Sequence, residues 1–465
     1  MDTSPENSSP VKHPETLVYI FNMSEDVWPF IAAITDKKAR QLEIQENTFL
    51  ADLRLFLFAN EESHVLFLCP RNVSPEYLEY FQQIVGRKTL TILPTQYHSG
   101  VICEDILNDD RIMTALIDAA NSSKRLTITS YATSPQFLKL MQALRDRGIT
   151  VYTPEAPEED DAWTVNFFGS KSGIRQLSQQ SSSVEPDFQM AGGVVCFGID
   201  DAAKIAARRY IKNSGVVLKT NKGHAGMGVV IFREGDLPTV YRDCVKSILT
   251  LFQKESYWGK FPIIIEELIS INSTIGGGYP NVEYKILKNG KIELLYYGGM
   301  RMSKEGVYKG MEINNDAISD QITARVVDTG FYIAEQFASA GYRGYFDVDF
   351  VAGKNGKLYV TESNVRSTGG TFVHALAQRF YGKDYMYAAY ILSNNSYDVA
   401  HLKNPSFASV REKLLSILFD RETKEGLVII SENMFLLDKL AYIIFGKTKK
   451  KALEIEQRME ELLKT

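Results

Sequence analysis

The sequence predicts an α/β protein with several domains. Its 465 residues suffice for about three domains with large buried cores. Short apolar runs alternate with segments of helical period in residues 17–152, and strands bounded by glycine dominate the middle of the chain. The composition of 45% apolar, 23% charged and 11% aromatic residues excludes general disorder and a membrane-embedded body.

The βαβ pattern in the first third of the chain predicts an α/β domain over residues 15–165, after a disordered leader at 1–14. The predicted strands are 17–21, 65–69, 90–93, 126–129 and 150–152. The predicted helices are 75–85 and 134–147.

A second domain is predicted over residues 166–395, and residues 396–465 form a small C-terminal domain. Strands of the second domain are predicted at 215–220, 228–232, 262–267 and 291–297. The C-terminal domain contains an apolar strand at 427–430. Its last helix carries an apolar stripe that packs on a partner surface, formed by Ala452, Ile455, Met459 and Leu462.

Charge and terminal composition limit the location and the partners. The formal net charge of -5 gives no overall electrostatic footprint for nucleic acid. The N-terminus, M-D-T-S-P-E-N-S-S-P, lacks the basic start and the apolar core of a secretory signal. No window reaches 18 uninterrupted apolar residues. We therefore expect a cytoplasmic protein with no nucleic-acid partner and no membrane contact.

A glycine-rich segment follows the strand predicted at 215–220 and reads T-N-K-G-H-A-G-M-G-V. Lys219 near the end of the strand supplies a positive charge, and Gly223, Gly226 and Gly228 allow backbone N–H groups to close around an anion. The pattern indicates a phosphate-binding loop that is neither a Walker A loop nor a Rossmann fingerprint. The alternative is a glycine-rich hairpin with an exposed lysine.

A predicted hairpin at 348–366 places two carboxylates opposite each other. The N-G pair at 355–356 predicts a two-residue turn, and the resulting register sets Asp349 directly opposite Glu362. Like charges in that position destabilise a sheet unless something offsets them. A divalent cation would do so.

The side chains that follow Glu362 strengthen this interpretation. The period of two brings Asn364 and Arg366 to the same face as Glu362. Carboxylate and amide oxygens suit hard cations, so we predict a metal site at Asp349, Glu362 and Asn364 with an arginine beside it. The alternative is an exposed hairpin with solvated acids.

Two further elements are weak signals when each is considered alone. The run P-I-I-I-E-E-L-I at 262–269 is an apolar strand that continues into paired acids. Lys171 lies in G-S-K-S-G-I-R-Q-L at the start of a helical pattern, where a surface lysine is equally expected.

In this order and spacing, the four elements resemble the ATP-grasp superfamily, whose members include D-alanine:D-alanine ligase and biotin carboxylase. The resemblance covers about residues 166–395 and implies an ATP-grasp fold of two α+β subdomains, with a glycine-loop lid over about 200–270. It implies a pre-ATP-grasp α/β domain before this fold and a small C-terminal α/β domain after it. The motif V-T-E-S-N-V-R-S-T-G-G-T is most similar to that of the peptide ligases of pheganomycin biosynthesis.

The resemblance also implies roles for individual residues. ATP would be bound by Lys171, Lys219, Gly223, Gly226, Gly228, Glu266, Glu267, Leu268, Ile269 and Glu283. Mg²⁺, with Mn²⁺ able to substitute, would be bound by Asp349, Glu362 and Asn364. The substrate would be contacted by Arg366, Ser367, Gly369, Gly370 and Arg301. Lys219 and Arg366 would be the catalytic residues.

The chain departs from the family's pattern at two places. Asp347 stands where the D-alanine ligases carry an arginine, so the charge of that arginine would be supplied by Arg366 or Arg301. A long insert at 270–281 precedes Glu283, the residue that matches the ribose-binding glutamate of the ligases.

The activity that the resemblance implies is ATP-dependent ligation of a carboxylate, in an amino acid or a peptide, to an amine. An acyl phosphate forms, and ADP and phosphate are released. The substrates would be small molecules or peptides, and a homodimer is an allowed assembly. Two alternatives stay open: biotin-carboxylase-like activation of bicarbonate, and a non-catalytic regulatory protein that binds ATP.

Overall fold

The structure is a computed structural model that describes residues 16–86, 90–123, 125–223 and 228–464. The predicted leader at 1–14 and the loop residue Gly226 lie outside these ranges. The described residues form three β-sheets.

The N-terminal unit is a five-stranded parallel sheet with the order β3-β2-β1-β4-β5. Its strands are β1 (Thr16–Ile20), β2 (His64–Cys69), β3 (Leu90–Pro94), β4 (Leu126–Ser130) and β5 (Val151–Tyr152). Its helices are α1 (Met23–Asp26), α2 (Trp28–Ala33), α3 (Lys37–Phe49), α4 (Pro75–Val85), α5 (Ile102–Leu107), α6 (Asp110–Ser122) and α7 (Pro135–Asp146). A 3₁₀ helix spans Asp52–Phe58. The predicted βαβ pattern is confirmed, and α4 and α7 each begin with a serine cap followed by proline.

A second, antiparallel sheet lies in the segment where the resemblance implies a lid, and we call it the lid sheet; its strand order is β6-β9-β7-β8. Its strands are β6 (Gly193–Cys196), β7 (Gly215–Thr220), β8 (Val229–Arg233) and β9 (Ile263–Glu267). The helices of this part of the chain are α8 (Trp163–Phe168), α9 (Lys171–Ser181), α10 (Ile199–Asn213), α11 (Tyr241–Lys254) and α12 (Tyr257–Lys260).

The third sheet has eight antiparallel strands in the order β14-β13-β10-β11-β12-β15-β17-β16. The strands are β10 (Pro280–Ile286), β11 (Ile292–Met302), β12 (Tyr308–Ile313), β13 (Gly344–Ala352), β14 (Leu358–Asn364), β15 (Tyr390–Asp398), β16 (Gly426–Ile429) and β17 (Lys439–Gly446). The helices are α13 (Asp320–Ser339), α14 (Thr371–Tyr381), α15 (Tyr385–Ala388), α16 (Phe407–Leu414) and α17 (Lys449–Lys464).

The C-terminal strands continue the large sheet, because β17 pairs with both β15 and β16. Helix α17 packs on this part of the sheet through Ala452, Ile455, Met459 and Leu463, which are buried. The predicted stripe is confirmed except at its last position, where Leu463 is more deeply buried than Leu462.

Contacts at several places tie the N-terminal unit to the rest of the chain. On the lid side, the hydroxyl of Ser256 donates to the carbonyl of Ala33 at 2.6 Å, and the rings of Tyr257 and Phe30 lie 4.7 Å apart. On the C-terminal side, the buried carboxylate of Asp52 accepts hydrogen bonds from the hydroxyl and backbone of residues 431–433. Among the described residues, no helix has the length and apolar character needed to cross a bilayer.

Candidate active site

The hairpin of β13 and β14 brings the predicted carboxylates together, since Asp349 pairs directly with Glu362. The turn, however, has three residues, because the N–H of Gly353 donates to the carbonyl of Lys357 at 2.8 Å. A β-bulge at Thr361 then shifts the strands by one residue. The predicted two-residue turn is therefore wrong. The extra residue in the turn and the bulge at Thr361 cancel in the register, so Asp349 still pairs with Glu362, as predicted.

Strand β10 lies beside β13, with Asn281 opposite Asp349 and Glu283 opposite Asp347. The NH₂ group of Asn281 donates to Asp347 Oδ2 at 3.2 Å and to Asp349 Oδ1 at 2.7 Å. The NH₂ group of Asn364 donates to Asp347 Oδ1 at 2.9 Å and to Asp349 Oδ2 at 3.2 Å. We call this closed arrangement of two aspartates and two asparagines the Asp-Asn square.

Electrostatic repulsion within the site favours a cation. Burial, followed by the charges of Asp347 and Glu362, raises the pKa of Asp349 well above its usual value. Burial also raises the pKa of Asp347 to about 6. In the described residues, no three side chains of His, Cys, Asp or Glu are placed to hold a metal ion together. A cation between Asp349 and Glu362 would therefore need the amide of Asn364 and an outside oxygen donor, such as a phosphate.

Lys171 is the first residue of α9, and its ammonium group lies 2.7 Å from Glu362 Oε2. The lysine charge, acting against burial, lowers the pKa of Glu362 to about 2. The backbone N–H of Lys171 donates to the carbonyl of Asn221 in the glycine-rich segment at 3.0 Å. The structure thus brings the predicted phosphate lysine to the predicted metal site.

Lys219 on β7 belongs to a buried ionic triad. Its ammonium group lies 2.8 Å from Glu266 Oε2, and Arg175 lies 2.5 Å from Glu266 Oε1. Burial opposes ionisation of Glu266, but the charges of Lys219 and Arg175 prevail, and the pKa of Glu266 lies below its usual value. The carboxylate of Glu266, which was predicted to bind ATP, thus pairs with two cationic side chains.

The glycine-rich segment connects β7 to β8. Gly228 has a φ of 79°, and a Cβ there would lie 2.2 Å from Thr220 Oγ1, so only glycine fits. Gly223 is described, whereas Gly226 is not. The ammonium group of Lys222, which the sequence analysis did not select, donates to Asn166 Oδ1 at 2.9 Å.

Residues 266–269, which the resemblance assigns to ATP binding and which we call the hinge, run from β9 toward the hairpin of β13 and β14. The carboxylate of Glu267 accepts from the backbone N–H of Gly192 at 2.9 Å. Leu268 packs against Gly215 on β7, and Ile269 approaches Gly353 at the hairpin turn. The hinge therefore links the lid sheet to the large sheet.

Glu283 is fully buried, and its carboxylate accepts from the hydroxyls of Thr368 and Thr371 at the start of α14. Burial, with a contribution from the charge of Asp347, raises the pKa of Glu283 to about 7. This internal carboxylate is bound by the segment that contains Gly369 and Gly370, two residues that were predicted to contact the substrate.

Arg366 lies between the large sheet and the N-terminal unit. Its Nε lies 3.0 Å from Asp26 Oδ2, and its Nη2 donates to Asn364 Oδ1 at 3.2 Å. The guanidinium also lies over the ring of Tyr131, at 5.3 Å from the centroid. Two of the residues that contact Arg366, Asp26 and Tyr131, therefore lie more than 200 positions away from it in the sequence.

The segment after Arg366 is tightly enclosed. Ser367 is buried, and its hydroxyl has no hydrogen-bond partner in the described residues. A Cβ at Gly369 would approach the hydroxyl of Tyr308, and one at Gly370 would approach that of Tyr296, so larger residues do not fit at either position.

Arg301 is not part of this cluster. Its guanidinium makes a bidentate ion pair with Glu456 on α17, at 2.7 and 2.9 Å. The hydroxyl of Tyr442 donates to the same carboxylate at 2.6 Å. Of the two arginines considered as substitutes for the family's missing one, Arg366 is the one near Asp347.

Sequence reasoning missed several residues of the site. Helical spacing could have identified Arg175, four residues after Lys171 on one face of α9. Period two could have identified Asn281, two residues before Glu283. No local signal marks the N-terminal residues Asp26, Arg54 and Tyr131. Arg54 reaches the site from the 3₁₀ helix and donates to the carbonyl of Thr368 at 2.5 Å.

Comparison with known proteins gives structural matches alone: no family model matches the chain, and no curated protein matches it. A biotin carboxylase domain of 2-oxoglutarate carboxylase from Hydrogenobacter thermophilus, solved with MgADP, ADP and bicarbonate, has a TM-score of 0.56 at 12% identity, over 97% of this chain and 90% of that one. An N5-carboxyaminoimidazole ribonucleotide synthetase in complex with ADP has a TM-score of 0.55 at 11% identity, over 96% of both chains. A carboxyaminoimidazole ribonucleotide synthase from Aspergillus clavatus with ATP has a TM-score of 0.54 at 10% identity, over 97% of this chain and 99% of that one.

These likenesses extend over nearly the whole chain and establish its fold. The protein has an ATP-grasp fold preceded by an N-terminal α/β domain, as in biotin carboxylase and the carboxyaminoimidazole ribonucleotide synthetases. The fold class expected from the sequence is confirmed.

Proposed function

We propose that the protein is an ATP-dependent carboxylate-amine ligase that releases ADP and phosphate. The observation that carries this proposal is the meeting of Lys171 with the carboxylate pair of Asp349 and Glu362, at 2.7 Å from Glu362. Structures that share the fold were solved with ADP, ATP or MgADP. A phosphate-binding lysine beside oxygen ligands for a hard cation suits the same kind of nucleotide here.

In this proposal, the nucleotide lies between the lid sheet and the large sheet. Lys171 and Lys219 hold the phosphates, and the glycine-rich segment with Gly223, Gly226 and Gly228 closes over them. The adenine and ribose would contact the hinge at 266–269. Glu283, which the resemblance assigns to ATP binding, is fully buried against Thr368 and Thr371, so the ribose would reach it only after a rearrangement. The ion pairs of both lysines hold these ammonium groups in a buried site before the nucleotide arrives, and phosphate would take the place of Glu362 beside Lys171.

The oxygen donors of Asp349 and Glu362 fit Mg²⁺, or Mn²⁺ in its place. Asn364 would join them once its amide oxygen, which accepts from Arg366 in this structure, turns toward the cation. When bound there, the cation would neutralise charge on the phosphate oxygens. The protein's own contribution is to hold the phosphates with its lysines and to hold the substrate carboxylate with Arg366.

The reaction then has two displacements. An oxygen of the substrate carboxylate attacks the γ-phosphorus, the bond to the β,γ-bridging oxygen breaks, and ADP leaves. The amine next attacks the acyl carbon, phosphate leaves with the bonding electron pair, and the amine gives up a proton. Positioning and electrostatic stabilisation suffice for both steps, and no protein nucleophile is required.

The substrate class we propose is an amino acid or a peptide, as the similarity to the pheganomycin-type peptide ligases implies. Arg366 and Arg54 lie over the same ring of Tyr131, at 5.3 and 4.8 Å from its centroid. Each guanidinium group carries a positive charge and N–H donors that suit a carboxylate, and Asp26 already pairs with Arg366 on one side.

Activation of bicarbonate is the second candidate function. It is favoured by one observation, the structural likeness to a biotin carboxylase domain solved with bicarbonate. The same residues would serve, because bicarbonate presents a carboxylate-like oxygen to the γ-phosphorus.

A screen for ADP release over amino acids, short peptides and bicarbonate, with mass spectrometry of the products, tests both functions. We expect ADP and phosphate together with an amide product. Formation of AMP and pyrophosphate would contradict the proposed reaction. If the protein binds ATP but no substrate leads to ATP cleavage, the result would instead favour a non-catalytic regulatory protein. Lys171→Ala serves as the inactive control.

A further inference from the structure

Arg175 is a buried arginine on α9, about one helical turn after Lys171. Its Nη1 donates to the carbonyl of Ala191 at 3.0 Å, and its Nη2 lies 2.5 Å from Glu266 Oε1. A Cβ at Gly193 would lie 3.1 Å from the guanidinium carbon, so a larger residue would crowd the arginine. The guanidinium group therefore lies directly against strand β6 of the lid sheet.

The arginine shares one carboxylate with Lys219. Oε1 of Glu266 faces Arg175, and Oε2 lies 2.8 Å from the ammonium group of Lys219. The three side chains are largely buried, with exposed fractions of 6% for Arg175, 5% for Glu266 and 11% for Lys219. Among the described residues, Glu266 is the only carboxylate that forms an ion pair with either cation. Two positive charges and one negative charge thus leave the triad with a net positive charge.

This net charge matters for phosphate binding, because charges interact strongly in a buried site. Lys219 and Glu266 alone would form a neutral pair, which would attract phosphate weakly. If the ammonium group then turned toward phosphate, Glu266 would become a buried carboxylate without a partner, which is unfavourable. A second cation on Glu266 prevents both effects.

The other lysine of the site has a different arrangement. Lys171 pairs with Glu362, which is a proposed ligand of Mg²⁺ and would be neutralised by that cation when the lysine turns to phosphate. Glu266 has no comparable second partner except Arg175. The two lysine–glutamate pairs therefore need two different compensating charges, a metal ion in one case and an arginine in the other.

We propose that Arg175 is a positioning residue that neutralises Glu266 and so leaves the positive charge of Lys219 available to the nucleotide phosphates. This inference rests on the proposed function, which gives Lys219 its phosphate. Arg175 occupies only Oε1 of Glu266, so Oε2 is left to Lys219 or to the nucleotide.

The first variant is Arg175→Gln, which removes the positive charge and keeps an amide donor. The probe is inorganic tripolyphosphate with excess Mg²⁺, because it carries phosphate groups but neither adenine nor ribose. Its affinity is therefore independent of any contact between Glu266 and the base. We expect its Kd, measured by isothermal titration calorimetry, to rise at least about tenfold in Arg175→Gln.

The second variant combines Arg175→Gln with Glu266→Gln, which restores the net positive charge by leaving Lys219 as the only charged member of the triad. We expect Kd for tripolyphosphate to return to within about threefold of the original value. Arg175→Lys keeps the cation and should also stay within about threefold. An arginine with a structural role alone gives the opposite result, because the double variant loses a further ion pair and would bind no better than Arg175→Gln.

Lys285→Met is the matched control. Lys285 is also a largely buried cation paired with a carboxylate, at 2.5 Å from Glu155, but it contacts no member of the triad. We expect this variant to change thermal stability and to leave Kd for tripolyphosphate unaltered.

An unchanged Kd in folded Arg175→Gln overturns the inference, and so does a folded double variant whose Kd stays raised at least about tenfold. If Arg175→Gln does not fold, the comparison of the double variant with the original protein decides, since both carry the same net charge in the triad. If the original protein binds tripolyphosphate but releases ADP with no substrate, the ligase function fails and the comparison of the variants still decides on Arg175. If it binds neither tripolyphosphate nor MgATP, the proposed function and this inference are both wrong.

Discussion

The ammonium group of Lys171 lies 2.7 Å from Oε2 of Glu362. The residue expected to bind phosphate is thus paired with a residue expected to bind Mg²⁺, and the lysine charge lowers the pKa of Glu362 to about 2. Oε2 of Glu362 cannot bind both the ammonium group of Lys171 and a Mg²⁺ ion at full strength. We therefore expect MgATP to exchange this pair for two others, lysine with phosphate and carboxylate with cation.

Glu362→Gln should remove Mg²⁺-dependent turnover and leave the protein folded. The amide keeps the shape of the side chain, but it carries no charge to hold either a cation or Lys171. We expect kcat to fall at least about a hundredfold, which corresponds to about 2.7 kcal/mol of transition-state stabilisation. ADP release at saturating Mg²⁺, with circular dichroism as the fold control, measures this effect. Near-normal activity would exclude the hairpin as the metal site.

Arg366→Lys should lower kcat at least about tenfold and leave KM for ATP nearly unchanged. A lysine cannot reproduce the two-sided hold of Asp26 and Asn364 or the planar grip on a carboxylate. Steady-state kinetics with the best substrate found in the screen provide the measurement. Arg325→Lys, in the ion pair with Asp187 away from the site, is the matched control. Full kcat in Arg366→Lys would show that this arginine has no part in the reaction.

Gly228→Ala should raise KM for ATP at least about tenfold. A Cβ at this position meets Thr220 Oγ1 at 2.2 Å and requires a positive φ of 79°. Gly235→Ala is the control for the backbone strain, because its φ is 90° but nothing lies within 4 Å of the added carbon. Equal KM values for the two variants would mean that the hairpin geometry at Gly228 does not matter for nucleotide binding.

Asp52→Asn should change how stability depends on pH. Burial raises the pKa of Asp52 from 3.8 to about 7. A carboxyl group with a raised pKa favours the folded state below its unfolded pKa, and this contribution is lost as the pH rises through the folded pKa. Relative to Asp52→Asn, we expect the original protein to lose on the order of a few kcal/mol of unfolding free energy between about pH 4 and pH 7.

Urea unfolding of both proteins across this range measures that difference. A constant difference in unfolding free energy would show that Asp52 titrates near its usual value in the folded protein. A difference that grows with pH would show that its pKa is lowered.

The sequence predicted local features of the site well. Hydrophobic period and turn residues located β7, β14 and the βαβ units, and the spacing around the hairpin brought Asp349 opposite Glu362. That pairing depended on two departures from the predicted register that cancel, a longer turn and the bulge at Thr361. Local residue preferences specify neither the length of this turn nor the position of the bulge, so neither could be predicted from the sequence.

The remaining parts of the site come from long-range packing. Asp26 and Arg366 are separated by 340 positions, and nothing near either residue marks it as a partner of the other. Glu266 was recognisable as a hinge acid, but its ion pairs with Arg175 and Lys219 depend on how α9 packs against the lid sheet. Pairings of this kind follow from the tertiary fold and leave no periodic signal in the sequence.

Through Ser256 and Tyr257, the part of the chain that carries the lid sheet contacts α2 of the N-terminal unit. The lid sheet is thus connected to the N-terminal unit as well as to the large sheet. If the lid sheet moves in the proposed reaction, it therefore does not move as a free flap. Its opening must break the hydrogen bond from Ser256 to the carbonyl of Ala33 and separate the rings of Tyr257 and Phe30. In the proposed reaction, the rate of product release would therefore depend on side chains that lie outside the proposed nucleotide site.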